Sequence, residues 1–139
     1  TGLVDLRCDY AFDLVRAGRL AEAGRQLDEA RLLDEKDPTA EALRGLAALR
    51  RGDADGALAH GRQALEWGPW SDLARIVLGA AQWDAGRGAE AAATWAPVRE
   101  RIAADAPFEW LYREDLATWV AAHQLPAVER ELLRELESR

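Results

Sequence analysis

Gly18, Gly52 and Gly86 stand 34 residues apart, and the interval does not stop with them. Ala23, Ala57 and Ala91 keep it, as do Ala11, Gly45 and Gly79, and then Ala30, Ala64 and Val98. Small residues recurring at matched places with a fixed period of this length restrict the chain to stacked copies of one supersecondary unit. The copies run over residues 4–37, 38–71 and 72–105.

Within each copy the apolar residues return at three and four, and β-branched residues are few, so the long segments read as helices and none as a strand. Breaks fall at Gly18, at Asp37-Pro38, at Gly52, at Gly68-Pro69, at Gly86 to Gly88, at Asp105 to Pro107 and at Gln124 to Pro126. They divide the chain into eight helices of about 12 to 18 residues. Asp37-Pro38 and Leu125-Pro126 have the form of helix starts, because proline is tolerated in the first turn. The three periodic glycines have the form of helix stops, where the left-handed conformation carries no Cβ penalty. Asp53 is placed to cap the next helix. Pro97 falls inside the second helix of the third copy, where it removes a hydrogen bond, and a kink or split is expected there. The small residues at 11, 45 and 79 and at 23, 57 and 91 let the two helices of a hairpin, and successive hairpins, approach closely.

This pattern resembles the tetratricopeptide repeat family, whose 34-residue unit carries a Leu-Gly pair in its first helix and an Ala followed four residues later by an aromatic in its second. The third copy is closest, with Leu78-Gly79, Ala91 and Trp95. The first offers Tyr10-Ala11, Leu14, Ala23 and Leu27, and the second Gly45, Ala57, Ala64 and Pro69. Arg44 and Gly61 depart from the pattern, standing where a large apolar residue and an aromatic belong. The resemblance covers residues 4–105 and implies an all-α, right-handed α-solenoid of helix-turn-helix repeats. Residues 106–139 lose the register but form one more amphipathic helix pair, read as a divergent hairpin or cap that closes a single domain over 1–139.

Chemistry has few ingredients here. One cysteine, two histidines 63 residues apart, no metal-ligand spacing and no phosphate-binding glycine loop give no catalytic constellation, no metal site and no cofactor. Cys8, with no base placed beside it, reads as a small buried apolar residue. Trp67 and Trp70, bracketing the Gly68-Pro69 turn, read as hairpin packing. The expected product is a non-catalytic interaction module.

What the resemblance implies about binding is a concave groove lined by the first helix of each repeat. Carried over residue by residue, that groove includes Phe12 and Arg16, then Leu46, Leu49 and Arg50, then Ile76 and Trp83, with Trp110 a further candidate on the seventh helix. The lining is mainly apolar, and it lacks the Lys and Asn residues with which some family members clamp a peptide carboxylate. A protein or peptide partner, presented as a helix or an extended segment, is the expected occupant. Two other readings stay open: the groove is filled by the chain itself or by a second copy in a homo-oligomer, or the chain, which opens on Thr1, is the regulatory part of a larger enzyme or transcription regulator.

Charge narrows the partners. The 18 basic and 25 acidic residues give −7, and the longest basic run is Arg50-Arg51, so phosphate backbones are repelled and nucleic acid is not expected. No run of about 18 apolar residues predicts a membrane span. A lone cysteine fits a reducing compartment, and the expected location is cytoplasmic.

Overall fold

The computed structural model describes residues 2–103 as six α-helices: α1 (Gly2–Arg16), α2 (Leu20–Leu33), α3 (Pro38–Arg51), α4 (Ala54–Trp67), α5 (Asp72–Asp84) and α6 (Gly88–Ala103). There is no strand among the described residues. The helices pack as the hairpins α1–α2, α3–α4 and α5–α6, and each hairpin meets the one before it mainly through its first helix, α3 on α1 and α2, and α5 on α3 and α4. The expected helix pair at 106–139 lies outside the described residues.

The two kinds of turn explain the period. Gly18, Gly52 and Gly86 have φ of 77°, 77° and 78°, a left-handed conformation that only glycine adopts without strain. At each of them the same two bonds close the helix: Gly18 N–H donates to Val15 and Arg19 N–H to Leu14, Gly52 to Leu49 and Asp53 to Ala48, Gly86 to Trp83 and Arg87 to Gln82. This is one helix-ending motif built three times, and it satisfies carbonyls that would otherwise be left open. The turns between hairpins use side chains instead. Asp37 caps α3 by accepting from Ala40 N–H at 2.9 Å, and Ser71, one period later, caps α5 by accepting from Ala74 N–H at 3.1 Å. Asp53 caps α4 through Gly56 N–H, as its place after Gly52 suggested.

Packing follows the small residues. A methyl placed on Gly45 would lie 2.9 Å from Cγ1 of Val77, and one on Gly61 would lie 3.1 Å from the Cα of Leu78, so α5 rests almost directly on the backbone of α3 and α4. In the third hairpin the fully buried Trp95 lies against Gly79, in space that any Cβ there would claim, and its Nε1–H donates to the Ile76 carbonyl at 3.3 Å. Of the kink or split expected at Pro97, the split does not occur: α6 runs through it to Ala103. Trp95 and Val98, on either side of the proline, are both fully buried, and their anchorage holds the backbone helical despite the missing N–H.

Candidate functional site

The groove positions divide by depth. Leu46 and Ile76 have no accessible surface; both are sealed in the core between hairpins, so neither offers side-chain surface to a partner. They are buried because each hairpin seats its first helix on the preceding pair, which turns the middle of α3 and α5 inward on nearly every side. Phe12, Leu49, Arg50 and Trp83 are half-buried and Arg16 is exposed. Trp110 lies outside the described residues.

The accessible residues fall in register at the carboxyl ends of the three first helices. Val15, Leu49 and Trp83 are one period apart, as are Arg16, Arg50 and Asp84. Val15 is sealed, leaving Leu49 and Trp83 as the accessible members of the apolar row. Trp83 stacks on Trp95 with centroids 6.0 Å apart and planes at 22°, so its position is fixed by the core beneath it. Arg16 lies over the ring of Phe12, 5.6 Å from its centre, a cation–π contact that holds the guanidinium near the row.

Two charges there are imperfectly served. Nη1 of Arg50 is buried and has no hydrogen-bond partner among the described residues, a costly state for a donor that carries charge. Asp84 closes α5, and partial desolvation raises its carboxyl pKa above the usual value. The helix carbonyls at that end also disfavour a negative charge.

A second polar cluster was not foreseen. Glu41, almost fully buried, receives His60 Nδ1 at 2.5 Å and Arg31 at 3.7 Å. It therefore ties α3 to α4 of its own hairpin and to α2 of the one before. Beside it a cleft of about 570 Å³ is lined by Arg31, Leu32, Glu35, Glu41, Gln63 and Trp67. No spacing in the sequence links Arg31, Glu41 and His60, because they meet through the stacking of three helices. Trp67 lines this cleft, whereas Trp70, expected to pack in its hairpin, is exposed. The turn is tight enough without it, since Gly68 lies against Pro38.

The remaining candidate for chemistry is quiet. Burial, followed by the nearby Asp37 carboxylate, pushes the Cys8 thiol up to about 12, and the Sγ–H points to Asp37 Oδ2 at 3.7 Å. At neutral pH Cys8 is a protonated, buried thiol, the opposite of what a nucleophile requires. Among the described residues no group of His, Cys, Asp and Glu is arranged to hold a metal ion, and no helix is long and apolar enough to cross a membrane.

Comparison with known families matches residues 48–109 to the tetratricopeptide repeat. No curated protein matches the chain.

Proposed function

Taking residues 48–109 as tetratricopeptide repeat sequence, of a family whose repeats generally mediate protein–protein interactions, we propose that this chain is a non-catalytic binding module. Its site is the pair Leu49 and Trp83, with Phe12, Arg16 and Arg50 beside it. One observation carries the reading: Leu49 and Trp83, at equivalent ends of α3 and α5, stay accessible while apolar neighbours in the same helices are sealed. Exposed apolar surface in register on a rigid scaffold favours recognition of another polypeptide. Trp83 is the best anchor, because a large flat side chain already fixed by stacking on Trp95 loses little freedom on binding. The guanidinium groups of the exposed Arg16 and half-buried Arg50 favour a ligand that brings an acceptor, a backbone carbonyl or a carboxylate.

The test is selection of peptides from a displayed random library against the whole chain. Binders are expected to lose at least tenfold in affinity when Leu49→Ala and Trp83→Ala are combined, and to lose affinity again with Arg50→Glu. Circular dichroism checks that each variant keeps its helices. Selected binders that hold equally well to folded variants of all three residues would place binding elsewhere.

A further inference from the structure

Helix α1 has one side that the repeat leaves unfinished. Where α3 seats on the hairpin before it, Leu43 and Ala47 are buried and Arg44 reaches Asp28 of α2 at 2.6 Å. Where α5 does the same, Val77 lies over Gly45 and Leu78 against Gly61, with Ala81 buried beside them. One period earlier these positions are Asp9, Tyr10 and Asp13 of α1, and all three are exposed. Ala40 and Ala74 are buried as well, and their counterpart is Leu6, 66% exposed. With Leu3 at 51% and Tyr10 at 48%, Leu6 makes an apolar ridge at the spacing i, i+3, i+7 along one side of the helix.

Alongside the ridge stand Asp5, Asp9 and Asp13, spaced i, i+4, i+8 and all exposed. Like charges at that spacing repel one another and weaken the helix that carries them. None of the three is in an ion pair among the described residues. Arg7, the nearest cation in α1, turns away to Gln26 and Glu29 of α2. The face thus has the geometry of a helix-packing surface, occupied at both equivalent places in the fold, and a charge that asks for cations.

We propose that the outward face of α1 docks an amphipathic helix of a partner protein, one whose apolar ridge is flanked by Lys or Arg. The ridge of the partner packs over Leu3, Leu6 and Tyr10, and its cations lie along Asp5, Asp9 and Asp13. A second copy of the chain is a poor occupant, because it would bring the same three aspartates and a net charge of −7 to a face that is already acidic. This surface is separate from the row at Leu49 and Trp83, and it stands or falls without that row.

The test is panning of a displayed library of single amphipathic helices, randomised at the positions flanking the ridge, on the full chain. Enriched helices are expected to carry an excess of Lys and Arg, to bind at least tenfold more weakly to the combined variant Leu6→Ser and Tyr10→Ser, and to weaken as salt rises. They should bind Leu49→Ala with Trp83→Ala unchanged. The two replacements in α1 are at exposed positions and circular dichroism checks their helicity; Asp9→Lys with Asp13→Lys, a second variant that leaves the ridge intact, should also lose the basic helices. Enriched helices with no excess of Lys and Arg, or that bind the α1 variants as well as the parent, overturn the proposal. So does self-association of the parent, measured by sedimentation, that Leu6→Ser and Tyr10→Ser abolish.

Discussion

The second and third hairpins solve the same packing problem with opposite materials. At equivalent places the second brings together Gly45 and Gly61, and the third brings together Gly79 and Trp95. Two glycines leave a shallow seat, which Val77 and Leu78 of the following hairpin fill from outside. One glycine and one tryptophan fill the seat from within, and the same indole then supports Trp83 where α5 meets solvent. The second hairpin is therefore held by its neighbour, whereas the third holds itself and carries a surface residue on its core. Conserving the summed volume at a contact, rather than any one residue, is what a close-packed interior requires.

Removing the indole tests this most severely. Trp95→Ala is expected to cost about 3 to 5 kcal/mol, as large aromatic truncations in a core do, and to release Trp83 from its stack. Denaturant unfolding of the chain measures the first effect, and the fluorescence of the remaining tryptophans the second. A loss under about 1 kcal/mol would mean that the third hairpin does not hold itself.

The glycines should rank by what stands beside them. Gly79→Ala forces the buried Trp95 to move and is expected to destabilise by about 1 to 3 kcal/mol. Gly61→Ala should cost less, because α5 can slide slightly away from a contact at 3.1 Å. Gly45→Ala meets a side-chain methyl of Val77, and the gain of roughly 1 kcal/mol in helix propensity offsets much of that clash. The first hairpin, which has Ala11 and Leu27 at this register, both buried, supplies the rescue. Combining Gly79→Ala with Trp95→Leu copies that pair, and the double variant should be more stable than the sum of the single losses by about 1 kcal/mol.

Cys8 extends the comparison to the first hairpin, where its equivalents in the other two are the fully buried Ala42 and Ile76. With a folded pKa of about 12 against an ordinary 9.0, the thiol stays protonated in the folded chain after the unfolded chain has lost its proton. The unfolded state then binds fewer protons, so Cys8 makes stability fall as pH rises above 9. Relative to Cys8→Ala, the parent should lose about 1 kcal/mol between pH 8 and pH 10. Identical pH profiles for the two would show that this position is not sealed as its counterparts are.

Much of this architecture is legible in the sequence because its determinants are local. Gly18, Gly52 and Gly86 end helices by their own conformation, and Asp37, Asp53 and Ser71 cap by reaching three residues ahead. The depth of the candidate site is less legible. Leu46 and Leu49 differ by one helical turn and share the same chemistry, yet the first is sealed and the second half-open, a distinction set by where the next hairpin lands. Glu41 with His60 and Arg31 was invisible for the same reason, since three helices must stack before they meet. At Pro97 the local penalty does not split α6, because burial on both sides of it outweighs that penalty.

The smallest effect is expected where the third hairpin's row changes sign. Arg16 and Arg50 give way to Asp84, which ends α5 next to Trp83, and its desolvation raises the carboxyl pKa. A raised pKa means that the folded chain holds this proton more tightly than the unfolded chain does. Ionisation therefore costs stability, a cost present in full above the folded pKa and gone once the pH drops below the ordinary aspartate range. Asp84→Asn removes the charge from a helix end whose carbonyls repel it. The variant should be more stable than the parent at pH 7 by less than about 0.5 kcal/mol, since the side chain is exposed and screened. Thermal melts at pH 7 and pH 3 check the sign: the gain should shrink towards zero in acid. A gain that grows in acid, or a loss at pH 7, would mean that Asp84 is held by an attractive partner and that the third hairpin continues the row rather than ending it.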